Sequence, residues 1–355
     1  MKRTAFRSTA LAAALLGCSA LSMPSATAQE PVEITFFIWA GSNQGVVPRE
    51  GIEAYQKENP HVTINILESN NTITYPKMVA ARRTTPDDPL VHCGFFNVDS
   101  ITKGDVDDMW ESIDPELVPN IETVFDQYRR PDDRGVGYQM LGIGLIYNKD
   151  QVSEPPTSWS DLWSEGYRGR VTMFDYDTRM MVVASRLNGG DERNMDPGFE
   201  VWSENAENLK ALVDSNDALK NLLVSGDAWI APWFSPISYI WIKEGAPLGF
   251  AVPEEGAIAF PIFLTIAKGV DDAERKVCSD LVNTLLSTEN ASRYGQLTYS
   301  IPVVNGATAT EEQMSNPALN LEIAESAIVP DYNFIAEMTP EWRQRWDREV
   351  KFKLR

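Results

Sequence analysis

The sequence predicts an α/β protein built as two lobes. Strand-like and helix-like segments alternate from Val32 to Phe96, the pattern of a parallel sheet with right-handed crossovers. A chain of 355 residues is also more than one ordinary core organises, which points to two lobes. Lastly, the stretch from Gly226 to Gly256 reads as a strand, an aromatic loop, a helix and a second strand, a unit that binds ligands at the carboxyl end of its first strand.

Val32 to Ile38 is apolar enough for a strand, and Ile52 to Glu58 is a helix stopped by Asn59-Pro60. Val62 to Leu67 follows as a strand with Val62, Ile64 and Ile66 on one side, then a helix around Tyr75 to Arg83 and a strand at Leu90 to Phe96. The loops after these strands, Ala40 to Gly45, Glu68 to Asn71 and Asn97 to Ser100, then lie along one edge. A helical segment at Ile121 to Tyr128 precedes the glycine-rich apolar run Gly137 to Asn148. Trp229 to Trp233 suits a short buried strand, and Pro236 opens a helix with Ile237, Ile240 and Trp241 on one face. Leu248 to Val252 and Ile262 to Ala267 are strands, Ala273 to Leu286 and Glu289 to Gly295 are helices, and the charged tail to Arg355 is helical.

The first 28 residues read as a secretory signal. Lys2, Arg3 and Arg7 form a positive region, Leu11 to Leu16 an apolar one, and Ala26-Thr27-Ala28 a cleavage site before Gln29. Leu15-Leu16-Gly17-Cys18 offers a second reading as a lipoprotein signal with Cys18 lipidated, although Leu16 stands where a small residue is usual. The formal net charge is −20, and loss of Lys2, Arg3 and Arg7 takes it to −23. That balance argues against nucleic acid as a partner, since phosphate binding needs a basic surface. Cys93 and Cys278 then remain, each in an apolar setting; they either pair or stay as two buried thiols, and the second is the expectation. With two histidines in the chain and no Cys-x-x-Cys spacing, no zinc site or other metal site is expected, and no cofactor.

The order Trp229 to Gly256, with its Trp-containing loop before Pro253-Glu254-Glu255-Gly256-Ala257, resembles the spermidine/putrescine-binding family of bacterial ABC-importer solute-binding proteins. Ser158-Trp159-Ser160-Asp161-Leu162-Trp163 and the strand after it are similar to the same family, as is Tyr299-Ser300-Ile301-Pro302. The resemblance implies the two-lobed periplasmic-binding-protein fold, two doubly wound sheets joined by a two-strand hinge. It places the first lobe at 29–144, the second at 145–254 and a return to the first at 255–355. It also implies a periplasmic receptor, monomeric, that hands a small solute to an ABC permease; a sensor kinase is an alternative partner. A secreted hydrolase is the rival class, but two histidines and the lack of a Gly-x-Ser-x-Gly elbow speak against it.

Candidate ligand residues follow from the loops and the resemblance together. Trp39, Ser42 and Asn43 lie in or beside the first loop, where glycines admit close backbone approach and a helix start adds partial positive charge. Asn97 and Asp99 follow the third strand, and Asp99 would receive an amino group. Trp233 and Ser235 stand in the aromatic loop, where Trp233 either walls the ligand or packs between sheet and helix. Tyr299 is placed near the hinge by the resemblance.

The departures from the family concern charge. The family's polyamine binders carry an acid three positions after the loop Trp, and Pro236 stands there; a second acid falls near Phe260-Pro261-Ile262, where no carboxylate exists. A third acidic position falls on Thr178 or Arg179. Arg179 would reverse the charge preference of that wall, unless it is a surface cation or pairs with Asp175 or Asp177. The expectation is therefore a small anionic or zwitterionic solute, with a polyamine as the alternative.

Overall fold

The computed structural model describes residues 30–354 except Ser42, Pro131 and Tyr176. The expected signal segment, Cys18 within it, and the candidate Ser42 lie outside the described residues.

Three parallel strands begin the fold. β1 (Val32–Trp39) leads through α1 (Val46–Glu58) to β2 (Val62–Ser69), and α2 (Asn71–Thr84) leads to β3 (Cys93–Asn97). β1 pairs in parallel with both β2 and β3, so β1 is central and the loops after all three strands share one edge. Asn70 caps α2 by accepting from the Ile73 amide, and Asn97 caps α3 (Val98–Val106) by accepting from Ser100. α2 begins earlier than the Tyr75 that apolar spacing indicates, and Asn97 to Ser100, expected as a loop, opens α3, because caps rather than core residues set these starts. The segment expected to be helical at Ile121 to Tyr128 holds only short 3-10 turns, Pro119–Thr123 and Asp126–Tyr128.

β4 (Val136–Asn148) is the strand on which the architecture turns. All its residues except Leu141 are buried, as expected of a strand covered on both faces. Its first half pairs antiparallel with β9 (Ile258–Ile266), and its second half with β7 (Ile230–Phe234) and β8 (Leu248–Ala251). Glycine at 144 is required by the last of these: a Cβ there would stand 2.6 Å from the Phe250 ring and 2.7 Å from the Ala251 carbonyl oxygen. Between β4 and β7 the chain forms β5 (Val171–Phe174), α4 (Thr178–Leu187), α5 (Asp196–Glu204), β6 (Leu209–Val213) and α6 (Asn216–Val224). α7 (Ser235–Lys243) connects β7 to β8, with Pro236 in its first turn as predicted.

The strands run in the order β2-β1-β3-β9-β4-β7-β5-β6, so hydrogen bonding is continuous from one end to the other through β4 and β9. The two sheets expected from the resemblance are thus two ends of one ladder, and β4 and β9 form the two-strand connection. After β9 come α8 (Asp272–Leu285), α9 (Thr288–Thr298) and β10 (Ile301–Pro302), the last paired with β4. α8 opens with a capping box between Asp271 and Glu274. Cys93 of β3 and Cys278 of α8 form a disulfide, with Cα atoms 5.9 Å apart. This corrects the expectation of two free thiols: both positions are buried, but α8 lies directly over β3, which no local pattern in the sequence reveals.

The tail takes a third path past the hinge. After α10 (Glu311–Met314) and α11 (Glu322–Ser326), Ile328 pairs in parallel with Ile258 of β9, its amide donating to the Ala257 carbonyl oxygen at 2.8 Å. α12 (Tyr332–Glu349) then packs between α3 on one side and α4 and α5 on the other. The sequence reading assigned all of 255–355 to the first lobe. In the structure, Arg345 pairs with Asp196 at 2.5 Å, Arg193 with Asp331 at 2.7 Å, and Arg343 with Asp175 at 3.4 Å. The tail is held to the elements that follow β4. Trp342 and Trp346 extend a single apolar core that also contains Phe37, Phe96, Met180 and Trp202.

Candidate functional site

A cavity of about 270 Å³ opens among the N-terminal halves of three helices, α3, α4 and α12. α3 follows β3 and α4 follows β5, so the cavity lies beyond the carboxyl ends of strands from both sides of the hinge, the usual ligand position in open α/β sheets. Asp99, Thr102 and Lys103 come from α3; Asp177, Thr178 and Arg179 from the start of α4. α12 supplies Tyr332, Ile335, Ala336 and Thr339. The hydroxyls and charges face a short apolar patch from Ile335 and Ala336.

Arg179 is held in the cavity by a two-point ion pair. Its Nε donates to Asp177 Oδ1 at 2.8 Å and its Nη2 to Asp177 Oδ2 at 3.2 Å, a two-point pair. Asp177 also caps α4 by accepting from the Arg179 amide at 3.1 Å. The guanidinium lies over the Phe260 ring at 5.0 Å and near that of Phe234 at 5.9 Å. The Arg179 side chain is 17 % exposed and that of Asp177 11 %. Burial works against the Arg179 charge, and the carboxylates of Asp177 and Asp99 more than offset it, so its proton is held more tightly than usual. Burial likewise drives the Tyr332 hydroxyl well above the ordinary tyrosine range, with Arg179 opposing. That hydroxyl donates to the Ala259 carbonyl oxygen on β9, which joins the cavity wall to the hinge.

Of the predicted residues, the cavity brings together Asp99 and Arg179, with Phe260 beneath the guanidinium. Asn97 stands behind them as the α3 cap. The others lie elsewhere. Trp233 is stacked between Phe174, at 4.9 Å and 17°, and Trp241, at 6.0 Å and 14°; this is the packing alternative, and the tryptophan is part of a core rather than a cavity wall. Ser235 is fully buried, beside Gly142, and Asp175 is occupied by Arg343 and Lys351. The exposed Asn43 donates to the Leu297 carbonyl oxygen at 3.0 Å. Tyr299 packs against Tyr239 with ring centres 4.6 Å apart, beside Lys243. Trp39 is half-buried at the end of β1, and its indole Nε1 has no hydrogen-bond partner among the described residues.

Tyr332 and Lys103 escaped the sequence reading. Lys103 lies one helical turn after Asp99, so recognising the α3 start at Asn97 would have put both on one face. Nothing local marks Tyr332, because its position depends on the tail recrossing the hinge.

No group of three or more histidine, cysteine or carboxylate side chains is arranged to hold a metal among the described residues. No helix among them is long and apolar enough to cross a membrane.

Comparison with known proteins identifies the family and the fold. The family model for bacterial extracellular solute-binding proteins matches residues 91–337. A spermidine/putrescine-binding periplasmic protein of Haemophilus influenzae is 25% identical over 295 residues, covering 80% of this chain and 79% of its own. A putative 2-aminoethylphosphonate-binding periplasmic protein of Salmonella typhimurium is 21% identical over 215 residues, 58% of each chain. The crystal structure of an ABC transporter protein from Clostridium perfringens superposes with a TM-score of 0.75 at 18% identity, covering 90% of this chain and 99% of that one. With its two-lobed α/β fold and a family match across more than half its length, the chain belongs to the bacterial extracellular solute-binding proteins, the substrate-binding components of ABC transporters.

Proposed function

We propose that this receptor binds a small anionic or zwitterionic organic solute in the cavity among α3, α4 and α12, with Arg179 holding the anionic end. The observation that carries the reading is a guanidinium, mostly buried and fixed by Asp177, at a wall shared with Asp99. A polyamine, cationic along its whole length, would bring one ammonium group against Arg179 in a partly desolvated space, which disfavours it. Ligand closure would bend β4 and β9, bringing the part at 29–144 and 255–355 toward the part at 145–254. Trp39 joins the candidate ligand groups through its unpaired indole N–H.

A polyamine-binding receptor is the second reading. The Haemophilus relative's name favours it, as do Asp99 and the rings of Phe234 and Phe260. Against it stand the missing carboxylates at Pro236 and around Phe260. In the cell, the protein would be exported by its first 28 residues, act as a monomer in the periplasm and deliver its solute to a membrane permease; a transfer of this kind needs no catalytic step.

A thermal-shift screen of the purified protein tests the solute class. Stabilisation by amino-acid-like, carboxylate or phosphonate compounds supports the proposal. Stabilisation by spermidine or putrescine with none by those compounds overturns it. Mass spectrometry of the solute that copurifies with the protein identifies the compound itself, and its intact recovery after incubation separates a receptor from a hydrolase.

A further inference from the structure

The cavity carries four charges that cancel: Asp99 and Asp177 against Lys103 and Arg179. Their arrangement is uneven. Asp177 covers the Nε/Nη2 edge of Arg179, so that pair presents a nearly neutral face with directional donors remaining on its outer edge. A ligand anion is therefore met by hydrogen-bond geometry more than by net positive charge. Asp99 differs. It is exposed to the cavity at the first turn of α3, and no cation forms an ion pair with it among the described residues. Lys103, one turn along the same helix, is beyond ion-pair distance of it, although both line the space. Ile335 and Ala336 line the same space as Asp99 and Arg179 and supply apolar surface suited to a short methylene stem.

From this we infer that the solute is a zwitterion with an ammonium group and an acid group joined by a short stem, and that Asp99 is the specificity-determining residue that holds the ammonium. This deepens the proposed function and rests on its placement of the solute in this cavity. A plain anion would satisfy Arg179 and leave the Asp99 carboxylate facing like charge, whereas a zwitterion satisfies both poles and leaves the neutral cavity neutral. Specificity then comes partly from rejection: the carboxylate that attracts the ammonium repels the compound lacking it.

Calorimetric titration of the full chain, stripped of copurifying solute, tests this with five probes: 3-aminopropionate, 2-aminoethylphosphonate, their amine-free counterparts propionate and ethylphosphonate, and ethylamine. At least one amino-bearing acid should bind about tenfold or more tightly than its counterpart, the range expected for one charge-assisted hydrogen bond. Asp99→Asn should remove most of that preference by weakening the amino-bearing compound alone, and Asp99→Glu should restore part of it. Matching thermal denaturation profiles establish that the variants fold. Equal affinities within each wild-type pair, or an Asp99→Asn change that weakens both members alike, would overturn the zwitterion inference and leave the Arg179 anion site standing. Tightest binding by ethylamine, or binding of none of the five, would remove the anion site as well.

Discussion

The bond between Cys93 and Cys278 makes the most quantitative prediction. It closes a loop across a sequence separation of 185 residues, fastening α8 to β3, which lies between β1 and β9 in the sheet. On the chain-entropy account, a loop of that length removes about 5 kcal/mol worth of freedom from the unfolded chain, and measured losses on removing native disulfides run about 2–5 kcal/mol. Both cysteines are essentially inaccessible in the folded state, so reduction should be slow until the protein unfolds. The assay is guanidinium unfolding followed by tryptophan fluorescence, for the oxidised protein, the reduced protein and the Cys93→Ala/Cys278→Ala double variant. For a protein of this size the midpoint should fall by roughly 0.5–1 M on reduction or substitution. Coincident midpoints for oxidised and reduced protein would refute the reasoning, as would alkylation under denaturing, non-reducing conditions that labels both thiols.

Three further outcomes follow from named contacts. Arg179→Lys keeps the charge but cannot span both oxygens of Asp177 while also reaching the cavity, so affinity for the native solute should drop at least about tenfold in a titration; unchanged affinity would take Arg179 out of the site. Gly104→Ala places a Cβ 2.0 Å from Nε1 of the buried Trp110, which donates to the Ile101 carbonyl oxygen; chemical denaturation should show a loss of about 1–3 kcal/mol or more, and a fully stable variant would contradict the packing of α3. Burial lifts the Asp105 carboxyl above its ordinary range, with Arg130 opposing, so the folded protein binds that proton more tightly than the unfolded chain. Its contribution to stability therefore declines as pH rises from about 4 through the raised value, and Asp105→Asn should flatten that part of a melting temperature against pH profile.

The strands and helices before Asn97 were legible because each follows the apolar period of one element and ends at a recognisable breaker. β4 was legible as an apolar, glycine-rich run, but its role as a shared strand is a matter of pairing over long sequence distances. The same limit hid the disulfide, the third passage beside β9 and the place of Tyr332, since all three depend on which elements lie side by side. Trp233 shows the limit at a single residue. An aromatic at the carboxyl end of a strand fits a ligand wall and a core equally well, and only the parallel rings of Phe174 and Trp241 on its two faces decide for the core. Arg179 was legible for a different reason: the resemblance placed it on a position where the family carries an acid, at a helix start where an arginine needs a nearby anion.

That constraint also explains how such a cavity changes its solute while its fold stays the same. The sheet, the hinge and the core containing Trp202 and Trp346 fix where α3, α4 and α12 begin, and the N-terminal halves of those helices contribute the side chains that line the cavity. The resemblance puts Arg179 at a start where the family carries an acid; such an exchange requires a nearby counter-charge, which Asp177 supplies from two residues away as part of its own capping role. The exchange is thus contained within one helical turn and disturbs no strand pairing. Phe260 makes the matching adjustment below, where an aromatic face can lie against a guanidinium, with the cation 5.0 Å from the ring. The cavity thus gathers Asp99, Lys103, Asp177 and Arg179, with Phe260 against the guanidinium, and α12, bound to the far side through Asp175 and Asp196, closes the space they define.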